Sequence, residues 1–215
     1  MEQLAPGVFG LALTPRHGIN AYLLGDVLVD AGVKQSVKRV LRALQGRTVS
    51  AHALTHAHVD HAGGSKGVVH ALGVPFWAGA ADVEACRSGN PEAGKEWLRR
   101  FARFPALNVD RELHEGDEVG GFTVLDTPGH SRGHVSYWRE SDRVLVCGDV
   151  FNNMNLVTTG VGLHEPPALF TPDPARNRES MRRLAALAPE LMLVGHGPPL
   201  RDPARLQAFV AALPL

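Results

Sequence analysis

Short apolar runs of strand length alternate with helical repeats along the chain, and their order predicts the architecture. "GVFGLAL" (7–13), "INAYLL" (19–24) and "VLVD" (27–30) are strand-length runs separated by turn residues. In "VKQSVKRVLRALQG" (33–46), Val33, Val37, Val40, Leu41 and Leu44 recur at helical spacing, and Gly46 supplies a stop. "TVSAHALT" (48–55) predicts a buried strand, "SKGVVHALG" (65–73) a helix ending at Gly73, and "VPFWAG" (74–79) a further strand. Residues 80–104 predict two helical pieces broken near "SGNP". Strands return from 118 in "EVGGFTVLDT", "HVSYWRE" and "RVLVCGD", the last two joined by a turn at "ESD" (140–142). "PARNRESMRRLAAL" (174–187) puts Met181, Leu184, Leu187 and Ala188 on one helical face, and "ELMLVG" (190–195) is a final strand. "DPARLQAFVAAL" (202–213) closes as a helix with Pro203 in its first turn. Strands, strand–helix units and strands again predict a layered α/β fold, with residues 1–215 as one domain.

Composition narrows the function classes. Of 215 residues, 44% are hydrophobic and 20% charged, which fits a globular chain with a sizeable core. Lys+Arg and Asp+Glu are equal at 22 each, so no net field favours nucleic acid or an anionic membrane. No apolar run approaches the ~20 residues of a membrane span, and the N-terminus lacks a signal-peptide pattern. The expected location is cytoplasmic. Cys86 and Cys147 lie in unlike contexts and indicate no disulfide framework. The 11 histidines are many for this length and hint at metal chemistry.

The histidines have a pattern. "HAHVDH" places His56, His58, Asp60 and His61 just past a predicted strand. An extended chain points His56 and His58 to one side, whereas His61 breaks that phase as the chain turns helical. One segment can thus direct a pair of imidazoles one way and an Asp–His pair another, which suits two adjacent metals better than one. A solvated polar loop is the competing reading. It loses ground because His130, Asp149 and His196 also follow predicted strands immediately, in "TPGH", "CGD" and "VGHG". A carboxylate ending a buried strand is costly without a cation.

In this order "HAHVDH", "TPGHSRGH", "CGDV" and "VGHGPP" resemble the metallo-β-lactamase-fold superfamily of metallohydrolases, over nearly the whole chain. The resemblance implies a four-layer αββα sandwich with a site at one edge between two sheets. It implies that His56, His58 and His130 bind one metal, that Asp60, His61 and His196 bind the other, and that Asp149 bridges them. The cofactors it implies are two divalent ions, Zn(II) first, with Fe or Mn as alternatives. The implied reaction is attack by a metal-bridging hydroxide on an ester, thioester or lactone of a small molecule, with Asp60 as the catalytic residue that orients the nucleophile or accepts a proton from it. Asp149 stands where the best-known zinc β-lactamases carry a cysteine, so the turn sequences are closer to glyoxalase II and lactonase-like hydrolases. Glyoxalase II normally adds a C-terminal helical region that helps bind glutathione, and only 19 residues follow His196 here, so glutathione thioester specificity is not the expectation. Three alternatives compete: a mononuclear iron persulfide dioxygenase, a phosphodiesterase or nuclease of the same fold, and a non-enzymatic metal-binding module. The full set of seven ligands favours the two-metal hydrolase. Besides the substrate, the partner allowed for is a second copy in a homodimer.

Several residues near the motifs remain. The Gly-, Pro- and Asn-rich stretch 151–173 follows Asp149 and is expected to overhang the site as a loop. His164 in it is a candidate substrate contact. Phe151, Met154, Leu163 and Phe170 either line an apolar pocket or anchor the loop to the core. The segment 91–104, with Trp97 and Phe101, is the candidate opposite wall. His134 is expected to hydrogen-bond near the site without ligating metal. Cys147, two residues before Asp149, is expected on the same side of its strand, as a buried core residue.

Overall fold

Alternate residues of the central strands point into different cores, and this period of two builds the layers. The structure, a computed structural model, describes residues 1–91, 100 and 102–214. One sheet runs, in spatial order, β1 (Glu2–Ala5), β2 (Val8–Ala12), β3 (Asn20–Leu24), β4 (Val27–Val29), β5 (Ala51–Ala53), β6 (Phe76–Gly79) and β7 (Arg111–Leu113). Its pairing is antiparallel up to β4 and parallel from β4 to β7. The second sheet contains β8 (Glu118–Val119), β9 (Phe122–Asp126), β10 (Val135–Arg139) and β11 (Val144–Gly148). Beyond a two-stranded ribbon of β12 (Asn152–Met154) and β13 (Val161–His164), strand β14 (Leu191–Val194) pairs parallel to β11 at the sheet's edge.

Tyr22, Leu24, Val27 and Val29 from the first sheet meet Val124, Tyr137, Val144, Val146, Leu191 and Leu193 from the second in one core between the sheets. The intervening Leu23 and Leu28 face outward, against Val40 of α1 (Val37–Ala43) and Val68 of α3 (Ser65–Leu72). On the other side, Leu145, Cys147, Met192 and Val194 pack on Met181 and Leu184 of α5 (Pro174–Ala186) and Leu206 of α6 (Pro203–Ala211). Helix, sheet, sheet and helix form the αββα sandwich. Two further helices among the described residues, α2 (Val59–Ala62) and α4 (Val83–Ser88), lie beside β5 and β6 on the first sheet's outer face.

Four local expectations need correction. "EVGGFTVLDT" is not one strand: the chain turns at Gly120–Gly121 and makes the hairpin β8–β9. Edge strands β1 and β7 were not foreseen, because half-exposed edge residues leave no apolar run to read. The stretch 151–173 is not all loop, since it contains the β12–β13 ribbon. On α5, Ala185 occupies the buried position, while Ala188 lies beyond the helix end at positive φ. The second helical piece expected around Trp97 and Phe101 lies outside the described residues. No helix among the described residues is long and apolar enough to cross a membrane.

Candidate metal centre

Strands of both sheets end at one edge, and the ionisable residues sit in the turns that follow. After β5 the chain bends at Thr55 and reaches His58, whose extended backbone makes it the N-cap residue of α2. His56 and His58 therefore precede the short helix, and Asp60 and His61 lie on it, as the broken phase of the motif predicts. His130 occupies the turn between β9 and β10, Asp149 follows β11 directly, and His196 lies just past β14.

These seven residues converge. The ligand atoms of His56, His58 and His130 lie within 4.8 Å of one another, as do those of His56, His61 and Asp149 and those of Asp60, His61 and His196. Asp149 stands between the groups: its Oδ1 is 3.4 Å from His61 Nε2, and its Oδ2 is 3.5 Å from His130 Nε2 and 3.0 Å from His196 Nε2. His196 Nε2 is also 3.3 Å from Asp60 Oδ2.

The donor set fits divalent cations. His56 Nε2, His61 Nε2, His130 Nε2 and Asp149 Oδ1 are buried without a hydrogen-bond partner. Each such orphan costs about 1–3 kcal/mol unless a cation satisfies it. The opposite ring nitrogens are already engaged. His61 Nδ1 is 2.8 Å from Asp30 Oδ2, His130 Nδ1 is 3.1 Å from Thr171 Oγ1, and His196 Nδ1 donates to the Gly18 carbonyl. Those contacts fix the rings so that Nε2 faces the centre. Burial holds His56, His58 and His130 below the ordinary imidazole range, so they are neutral and ready to donate lone pairs. At His196 burial works downward, but Asp149 and Asp60 outweigh it and raise the imidazole to about 10. Asp149 stays well below the carboxylate range because His196 and His61 overcome the opposing effect of burial. The two carboxylates thus create a strong preference for positive charge at their end of the site.

Supporting residues complete the frame. Asp30, held at positive φ, accepts from Thr55 N and Thr55 Oγ1 as well as facing His61. Sequence reasoning missed it, since nothing local in "VLVDAG" shows which ring it will meet. His134 matches its expectation: Nε2 accepts from the Asp149 backbone N–H at 3.2 Å and Nδ1 meets Thr127 Oγ1 at 2.8 Å. It supports Asp149 through the backbone.

A cleft of about 360 Å³ opens over the centre, lined by His58, Asp60, His130, Asp149 and His196 and walled by Val59, Ala102, Leu156, Pro167 and Phe170. Of the residues expected to contact substrate, Phe170 lines this cleft, whereas Phe151, Met154 and His164 are not among its described walls. Phe151 is wholly buried and packs edge-on against Phe209 of α6, so it anchors the core. Leu163 belongs to the same core, and Met154 is likewise buried. His164 sits half-buried on β13. Cys147 does not share Asp149's side: Gly148, at φ +49°, breaks the strand phase and leaves Cys147 facing α5. Cys86 and Cys147 are both free and buried.

The sequence pattern matches a description of the metallo-beta-lactamase superfamily over residues 14–196. A probable metallo-hydrolase of Bacillus subtilis, YflN, is 32% identical across 92% of this chain and 86% of its own length. A hydroxyacylglutathione hydrolase of Rhodospirillum rubrum is 29% identical over 79% of this chain, which spans only 56% of that enzyme. Among solved structures, TTHA1623 in a di-iron-bound form superposes with a TM-score of 0.71 at 30% identity, covering 92% of this chain and 98% of its own. The B3 metallo-beta-lactamase BLEG-1 reaches 0.68 at 26% identity over 90% and 93% of the two chains. With the matched sequence, the layered sandwich and the histidine–aspartate centre in agreement, the chain belongs to the metallo-beta-lactamase superfamily.

Proposed function

We propose that this protein is a two-metal hydrolase acting on an ester, thioester or lactone of a small molecule. The observation that carries the reading is the set of buried, unpartnered ligand atoms around Asp149, placed at the floor of a cleft. His56, His58 and His130 would hold one ion and Asp60, His61 and His196 the other, with Asp149 serving both. Bound ions would supply a hydroxide near neutral pH and polarise the carbonyl oxygen of the substrate. Both carboxylates line the cleft, and Asp60, with 31% side-chain exposure against 6% for Asp149, is the more accessible of the two. Asp60 would orient the nucleophile and accept its proton.

Imidazole and carboxylate donors without thiolate suit Zn(II), Fe(II) or Mn(II). We take Zn(II) as the native ion, and the di-iron form of TTHA1623 makes iron its main rival. The apolar walls favour an uncharged acyl group over a phosphodiester, since no Lys or Arg lines the cleft among the described residues. The test is metal analysis of the purified protein combined with rates on ester, glutathione thioester, lactone and phosphodiester substrates, before and after chelation. Two ions per chain and chelator-sensitive acyl hydrolysis are expected. Metal-free protein, chelator-resistant turnover, or oxygen-consuming turnover with one iron would overturn the reading.

A further inference from the structure

Asp82 ends the short turn that follows β6 and is buried, yet it is none of the candidate ligands. It occupies the N-cap position of α4, where an aspartate ordinarily caps the helix, but its side chain makes no such bond. Among the described residues its side-chain hydrogen bonds instead run to the two turns that carry His56, His58 and His130. Oδ2 accepts from the Ala57 backbone N–H and from Ser131 Oγ, each at 2.8 Å, and Oδ1 accepts from the Gly133 N–H at 2.8 Å. Ala57 lies between His56 and His58, on the turn from the first sheet. Ser131 and Gly133 follow His130, on the turn from the second.

We infer that Asp82 is the positioning residue that assembles the His56–His58–His130 half of the centre by clamping together turns from opposite sheets. A carboxylate suits this task because its two oxygens accept several donors at once, which an amide or hydroxyl cannot match. The approach is built into the sequence at a second point. A Cβ on Gly133 would collide with the Asp82 backbone nitrogen and lie 2.8 Å from the Asp82 Cβ, so only glycine lets the second turn close on the clamp. The other half draws on different supports, Asp30 for His61 and the Gly18 carbonyl for His196. Loss of Asp82 therefore weakens one half selectively.

The inference rests on reading these groups as metal ligands, and the experiment separates the two. Zn(II) binding to the metal-stripped full chain is measured by calorimetry, with metal content after dialysis, for wild type, Asp82→Asn, Ser131→Ala and the control Asp110→Asn. Asp110 accepts the Phe76 N–H on the same sheet and touches none of the candidate ligands. Wild type is expected to bind two ions. Asp82→Asn should weaken one ion by about 10–100-fold, the usual scale for a residue that orients ligands, and leave the other unchanged. Ser131→Ala should weaken the same ion less, and Asp110→Asn neither. Wild type binding no ion would sink the ligand assignment itself. Two unaltered ions in Asp82→Asn, or equal loss of both, would sink the inference alone. Should Asp82→Asn fail to fold, Ser131→Ala decides: selective weakening supports the clamp and unchanged binding overturns it.

Discussion

Gly195 lies against the Asp149 carboxylate: a Cβ there would collide with Oδ1 and sit 2.6 Å from Cε1 of His61. The turn that delivers His196 is thus packed on the carboxylate that joins the two halves of the centre, and a residue without a side chain makes the approach possible. Gly195→Ala should displace Asp149 or the His196 turn. A shift on the order of 1 Å at reacting groups costs about 100-fold in rate. The expected outcome is a loss of that size in kcat/KM, with fewer bound ions and a cooperative thermal transition still present. Wild-type rates in this variant would show that the turn has room to move.

Phe151 and Phe170 are neighbours in one segment and separate cleanly in space. Phe151 is fully buried against Phe209, whereas Phe170 is 41% exposed at the cleft. Phe151→Ala should destabilise by about 3–5 kcal/mol through cavity formation. Its substrate preference should stay that of wild type. Phe170→Ala should leave denaturant stability nearly unchanged and lower kcat/KM for apolar acyl substrates by roughly tenfold relative to acetyl ones. Denaturation curves and paired rates on short and long acyl esters check both, and reversed effects would exchange the two roles.

That pair also shows where the sequence stopped being informative. A ligand that ends a strand is visible because the apolar run and the sudden ionisable residue after it are both local signals, as with Asp149 after "RVLVCG". The layered fold was legible for the same reason, since strands buried on both faces leave continuous apolar runs. Phe151 and Phe170 differ only in what packs on them, Phe209 in one case and the open cleft in the other. Asp30 and Asp82 were hidden for a related reason. Their bonds reach Thr55, His61, Ala57 and Gly133, all at least 25 positions away, so no spacing rule exposes them. Cys147 misled because Gly148 breaks the strand phase, and a single glycine does not announce its φ.

His52 should impose an acid limit on stability. Its ring is wholly buried, with Nδ1 3.1 Å from the Leu28 carbonyl and Nε2 2.8 Å from Ser65 Oγ. Burial lowers it to about 4 from an ordinary 6.5. Below pH 6.5 the unfolded chain takes up a proton here and the native one does not, so stability falls with pH down to about 4. The loss across that window is on the order of 3 kcal/mol. Urea unfolding of metal-stripped protein between pH 7 and pH 4.5 should show a steeper decline for wild type than for His52→Gln. Parallel declines would mean that His52 is not what limits acid stability.

Asp60 combines two roles that one substitution can separate. Its carboxylate lies 3.3 Å from His196 Nε2 and faces the cleft, and burial is outweighed by His196, so it stays ionised across the working range. Asp60→Asn keeps an oxygen that can ligate but removes the charge and the basicity needed to take a proton. A positioned proton acceptor contributes about 10²–10⁴-fold to rate. The variant should therefore lose kcat on that scale while KM changes little, and ion binding by the His56–His58–His130 group should persist. Steady-state kinetics with metal analysis give both quantities. If kcat stayed at the wild-type value, Asp60 would be confined to holding metal. If both ions were lost together, its ligand role would be the dominant one and the proton would have to leave by another group.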